Sequence, residues 1–169
     1  KAIRSGQPHE LIVDSLTQYQ STDKQNTVMW PHRYNDDKQP DIAEKLSSDF
    51  DMVITQKMNL NKADYYATMG TSKAIFSCAL HENLGISVME AVLTGAIPIV
   101  PDRCSYAEMY LPEFKYPSEW TENYEQFIYH RDDMVKFINA RLVYNFADYQ
   151  DLIKQQQQIL IKDYLSSSI

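Results

Sequence analysis

Residues 80–102 constrain the fold more than any other part of the chain: a polar turn (His81, Glu82, Asn83), then Gly85, then an amphipathic run, then Gly95 and an apolar strand. This order spells strand, loop, helix, strand. In that geometry the first backbone N–H groups of the helix point outward and can hold an anion such as phosphate. Glu82 and Glu90 stand eight positions apart, one on the loop and one inside the helix. A carboxylate accepts from two neighbouring hydroxyls at once, so paired acids beside an anion-holding turn suit a hydroxyl-rich phosphate ligand.

The rest of the middle region repeats the same grammar. Short β-branched or aromatic runs at 28–30, 52–55, 74–78 and 96–100 do not alternate with polar residues, as expected of strands buried on both faces. Helical patterns at 40–48, 61–69 and 84–94 separate them, with Asn61 as a cap for the second. Alternating strands and helices imply an α/β fold, a Rossmann-like parallel sheet with flanking helices. Ligands of such sheets bind outside the carboxyl ends of the strands.

Beyond Pro101 the chain is expected to form a Tyr-, Pro- and Glu-rich loop with a short helix near 106–110, then helices over 123–142 and 146–165. In the last one Ile153, Leu160, Ile161 and Tyr164 form the apolar stripe, and Gln155 to Gln158 read as a solvent face. Residues 8–19 read as a helix.

At 169 residues the chain can bury its own core. A net charge of −7 with scattered Lys and Arg argues against a surface that embraces a nucleic-acid backbone. No run is long and apolar enough to span a membrane or open a secretory leader, so the expected compartment is cytoplasmic. Cys78 and Cys104 lack a second ligand pair at metal spacing and read as two buried, reduced thiols; a Cys78–His81 zinc pair is the lesser alternative. Because the chain opens on Lys1-Ala-Ile-Arg, residues 1–26 are expected to be a linker or helix from a longer protein, and 27–169 the ligand-binding domain.

Several residues fall where the first and third strands end. Arg33 and Lys38 form a fork-shaped and a compact cation five positions apart, suited to a diphosphate; the duller reading pairs Arg33 with Asp36 or Asp37. Glu82 is a hydroxyl acceptor or a solvated loop acid. Asn83 is a candidate helix cap, and Gly85 allows close backbone approach. Glu90 sits at the fourth position of a Ser87-x-x-Glu90 capping pattern, or two turns into a helix from Asn83, where it reaches a ribose diol. His32 and His81 are candidates to touch a sugar or phosphate. Asp102, Arg103, Ser105, Tyr106 and Glu108 follow the fourth strand and are expected on the rim, whereas Tyr106, Tyr110 and Tyr116 are expected to pack. Together these residues describe a nucleotide-sugar site.

Glu82 and Glu90 with seven residues between them, followed by Ala91, Gly95, Pro98 and Asp102, resemble the paired-glutamate signature of retaining glycosyltransferases of the GT-B fold, family four in particular. Residues 27–38 resemble that family's strand, arginine and lysine donor loop. Trp30-Pro-His-Arg33 with Asp37-Lys38 and Pro40, the 81–102 motif, and Tyr106-x-Glu108-x-Tyr110 are most similar to the subgroup containing the tRNA-queuosine mannosyltransferases and their bacterial and phage relatives. The likeness spans about residues 27–116. It implies the C-terminal, donor-binding half of a GT-B enzyme, in which Arg33 and Lys38 hold the donor diphosphate and Glu82 binds sugar hydroxyls. His81 and the backbone of Asn83, Leu84 and Gly85 would lie against sugar and phosphate, and Glu90 would take the ribose. The donor is then a nucleoside-diphosphate sugar, with no metal and no further cofactor. Transfer retains the anomeric configuration, the departing phosphate helping to deprotonate the acceptor. The resemblance further implies an N-terminal acceptor domain and, through the subgroup alone, a modified nucleobase as acceptor. Leu84 departs from the aromatic usual at its position. A stand-alone nucleotide or sugar-phosphate binding module is the alternative function, and an isomerase or epimerase would need a further positioned base, for which only His81 and Asp102 offer.

Overall fold

The computed structural model describes residues 9–21, 23–143 and 146–165. The helix expected over 8–19 is α1, His9–Thr17, and residues 1–8 lie outside the described part. The sheet consists of β1 (Gln25–Trp30), β2 (Met52–Ile54), β3 (Ser72–Phe76), β4 (Ile97–Pro101) and β5 (Lys115–Tyr116). Its strands run in the order β2-β1-β3-β4-β5 and every pairing is parallel. The fold is therefore α/β and Rossmann-like. The short strand β5 was not anticipated; its two residues carry no strand pattern of their own and are aligned by pairing with Val100 and Pro101.

Between the strands lie α2 (Pro40–Leu46), α3 (Lys62–Thr71) and α4 (Ile86–Leu93); after β4 come α5 (Tyr106–Met109), α6 (Tyr124–Tyr129), α7 (Arg131–Val143) and α8 (Phe146–Ile159). Asn61 caps α3 as expected, its side chain accepting from the N–H of Asp64 at 2.8 Å. The single helix expected over 123–142 is two helices that meet at His130, α6 being capped by Asn123. The last helix loosens into a wider π-type turn over Leu160–Leu165.

Alternate strand residues feed two cores. Val28, Trp30, Ala74, Phe76, Ile97 and Ile99 pack with Ile42 and Leu46 of α2 and with Phe127, Ile138 and Ile153 of α6, α7 and α8. Met29, Ile75 and Val100 face Leu16 of α1, Met69 of α3, Val88 and Val92 of α4, and Leu160. The C-terminal segment thus serves both faces. Its glutamine run is not a plain solvent face: Gln156 is fully buried and bridges Met109 O (2.7 Å) and Leu111 N (2.7 Å), and Gln157 donates to Val92 O (2.8 Å).

At the opposite edge from the strand carboxyl ends, Lys24 donates to Gly70 O (2.5 Å) and Thr94 O (2.9 Å), where α3 and α4 finish. One ammonium there satisfies carbonyls at two helix C-termini, where the helix dipoles favour positive charge. Burial nevertheless brings its pKa down to about 8. No helix among the described residues is long and apolar enough to cross a membrane.

Candidate functional site

Strand order reverses between β1 and β3, since the chain turns to β2 on one side and continues to β4 on the other. A crevice opens at such a switch point because the two loops leaving adjacent strands diverge. Here those loops are residues 31–39 and 77–85, and they enclose a cavity of about 310 Å³. His32, Arg33, Asn35 and Lys38 line one side, and the unbroken run from Glu82 to Ser87 lines the other.

The two loops are stitched together beneath the cavity. Gln39, in the left-handed region at φ 54°, sends its amide to Cys78 O (2.7 Å) and Thr121 O (2.6 Å). Leu80 N–H donates to Asp37 O at 2.7 Å. Arg103 spans the far side of the second loop, donating to Ala79 O (2.9 Å), Cys78 O (2.8 Å), Ser118 O (2.8 Å) and Thr121 Oγ1 (2.9 Å). Its fork of donors explains why arginine serves here, since carbonyls from two separate loops must be satisfied together.

At the mouth, Lys38 Nζ lies 3.0 Å from Glu82 Oε2, 2.8 Å from His81 O and 3.5 Å from Asp37. Glu82 Oε1 accepts the N–H of Gly85 at 3.2 Å. Gly85 itself has φ +67°, and a Cβ there would stand 2.9 Å from the Tyr106 ring, so a side chain is excluded twice. The glycine turns the chain directly into α4, whose first internal bond runs from Met89 N to Gly85 O. The N–H groups of Ile86, Ser87 and Val88 precede that bond and remain outside the helix ladder. These outward donors belong to the helix end to which the sequence reading assigns an anion.

Arg33, Lys38, Glu82, Asn83, Leu84 and Gly85 therefore line one cavity. The duller reading of Arg33 fails, because its neighbour Asp37 pairs with Lys38 and Arg33 has no ion pair among the described residues. Other expectations need correction. Asn83 does not cap α4; Gly85 takes the N-cap position without a side-chain bond. Glu90 consequently lies about one turn into the helix rather than two, and neither it nor His81 lines the cavity. Nor does Glu90 close a capping box. It accepts a hydrogen bond from Tyr66 OH of α3, and burial raises its pKa. His81 is exposed, and its carbonyl accepts from Lys38 Nζ.

The residues expected on the rim after β4 stay clear of the cavity. Asp102 is exposed and pairs with Lys115 at 3.3 Å, and Ser105 and Glu108 do not line the cavity. Tyr106 packs under Gly85 with its ring fully buried, and Tyr110 and Tyr116 are core residues as expected. Only one of the two thiols is buried. Cys78 donates toward Lys38 O at 3.4 Å and burial raises its pKa to about 12, whereas Cys104 is exposed at φ 52°. Arg103 and the Ser77–Tyr106 pair went unrecognised as supports of the site. A lone Arg after a strand and a Ser ending one carry no spacing signal, since their partners are backbone carbonyls or residues distant in sequence.

No family model matches the chain. Over 119 residues it is 24% identical to the tRNA-queuosine alpha-mannosyltransferase of Drosophila melanogaster. The relationship is to a glycosyltransferase. The aligned stretch covers 53% of this chain and 32% of the fly protein, so the chain spans about a third of that relative's length.

Proposed function

We propose that this chain is the donor-binding part of a retaining glycosyltransferase of the GT-B kind. The carrying observation is the meeting, in one switch-point cavity, of Arg33 and Lys38 with Glu82 and the N-terminus of α4. The glycosyltransferase relationship supports the same reading.

A nucleoside-diphosphate sugar lies in this site with its diphosphate between the two cations and the N–H groups that open α4. As the bond from the anomeric carbon to the phosphate oxygen breaks, negative charge grows on that oxygen. Arg33 and Lys38 stabilise it, which is where fixed positive charge lowers the barrier most. The acceptor oxygen bonds to the anomeric carbon on the same face and its proton passes to the departing phosphate. Glu82 takes the sugar hydroxyls. The backbone of Asn83, Leu84 and Gly85 flanks sugar and phosphate, and His81 reaches them only after its side chain turns inward. Glu90 receives the ribose by exchanging the hydroxyl of Tyr66 for that of the ligand. No metal is required, because two cations already offset the diphosphate. The acceptor is held by an N-terminal domain of the full enzyme, and a modified nucleobase is the acceptor class that the fly relative's name brings forward.

Calorimetric titration of UDP-, GDP- and ADP-sugars against the wild-type chain, Arg33→Ala and Glu82→Gln tests this. The expected outcome is binding of one nucleotide class by the wild type and weaker binding by both variants. Equal affinity in all three proteins, or no binding of any nucleotide, contradicts it.

A further inference from the structure

His32 has no part in the function just proposed, yet it is the most deeply buried polar side chain bordering the cavity, at 6% exposure. Its ring meets the edge of Trp30 at a centroid distance of 5.5 Å, and Nε2 lies 2.8 Å from Ser77 Oγ. Ser77 Oγ also lies 3.0 Å from Tyr106 OH and accepts the N–H of Ala79 at 3.3 Å.

The protons in this chain can be assigned by counting. A serine hydroxyl has one proton and two lone pairs. Ala79 occupies one lone pair, so Ser77 donates to one of its remaining neighbours and accepts from the other. Tyr106 OH is buried and Ser77 is its hydrogen-bond partner among the described residues. Were Ser77 to donate to Tyr106, the phenolic proton would be buried without an acceptor, which costs the full desolvation of a donor. With Tyr106 donating to Ser77 and Ser77 donating to His32 Nε2, every hydroxyl proton is placed. A neutral imidazole that accepts at Nε2 carries its proton on Nδ1.

We propose that the Tyr106–Ser77 chain fixes His32 as the Nδ1–H tautomer, and that this N–H donates to a ligand oxygen in the cavity, phosphoryl or sugar hydroxyl. The ligand half of the proposal rests on the nucleotide-sugar reading above. Neutrality has separate support: burial, and then the Lys38 charge, bring the ring pKa down to about 3. The site thereby gains a fixed donor without a third positive charge beside Arg33 and Lys38.

The test is ¹⁵N NMR of the 169-residue chain labelled at histidine. The His32 ring is expected to be protonated at Nδ1 in the protein alone. Tyr106→Phe removes the terminal donor and shifts the ring toward a mixture of tautomers. An Nε2-protonated ring in the wild type, or a Tyr106→Phe ring unchanged from it, overturns the proton order. UDP, GDP and ADP are then added, followed by their sugars. A shift of Nδ1–H with the diphosphate alone assigns a phosphoryl oxygen, and a shift only with the sugar nucleotide assigns a hydroxyl. Binding that moves the amides of Gly85 to Ser87 but leaves Nδ1–H unmoved overturns the contact. Failure of every nucleotide to bind overturns the nucleotide reading and the contact with it, while the tautomer of the protein alone stands or falls separately. His32→Ala should weaken binding about three- to tenfold, the range for one neutral hydrogen bond. His32→Asn, which restores a neutral donor, should recover part of that loss, and no recovery together with an unmoved Nδ1–H would overturn the proposal.

Discussion

Lys38 and Glu82 lie on loops that leave different strands, yet their charged atoms are 3.0 Å apart at the mouth of the switch-point cavity. Each is held by a further bond: Lys38 to the His81 carbonyl, Glu82 to the Gly85 amide. The pair therefore joins the two halves of the site and keeps both charges oriented toward one space.

Replacement of either partner should be felt in binding more than in folding, because both side chains reach solvent at the cavity mouth. Lys38→Met is expected to weaken nucleoside-diphosphate binding roughly 10- to 100-fold, the range for a lost charge-assisted hydrogen bond. A double-mutant cycle with Glu82→Gln should show coupling between the two positions. Calorimetry reads both, and additive effects would separate Lys38 from Glu82 in function.

His32 makes the fold sensitive to acid. Its ring stays neutral in the folded protein down to about pH 3, whereas the unfolded chain binds a proton near pH 6.5. Between these values the unfolded state holds more protons, so stability falls as pH drops through the window. Urea midpoints measured at pH 7 and pH 4.5 should converge in His32→Asn relative to the wild type.

Lys24 acts in the alkaline range. The folded ammonium loses its proton near pH 8, the unfolded one near 10.5. Between the two the unfolded state again holds more protons, and this residue's contribution to stability rises with pH. Lys24→Met strands the carbonyls of Gly70 and Thr94, and is expected to cost about 1–3 kcal/mol at neutral pH. Thermal melts of both proteins from pH 7 to 9.5 check the sign.

Gly85→Ala meets the Tyr106 ring and a left-handed backbone at once. A loss of about 1–3 kcal/mol is expected, together with weaker nucleotide binding, since the first turn of α4 must shift. Chemical denaturation and the same calorimetry measure the two effects on one sample.

Much of the architecture was legible because the four main strands are apolar runs too short for helices and are separated by patterned helices. The loop residues of the site were legible for the same reason: strand ends place them. What escaped depends on contacts between distant positions. The Tyr66 hydroxyl that holds Glu90 comes from 24 residues upstream. Gln156 reads as solvent-facing until Met109 presents an acceptor carbonyl and Leu111 a donor N–H to it. Residues 115–116 become a strand only because β4 lies beside them. Asn83 satisfied the composition of a helix cap, but the left-handed turn at Gly85 moved the helix start past it.

A nucleoside diphosphate is expected to dock between the cations of the first loop and the opening turn of α4. Backbone NMR of the ¹⁵N-labelled chain titrated with UDP, GDP and ADP tests it most directly. One of them is expected to shift the amides of Gly85, Ile86, Ser87 and Val88 together with Arg33 and Lys38. Shifts confined to another surface, or none with any of the three, would contradict it.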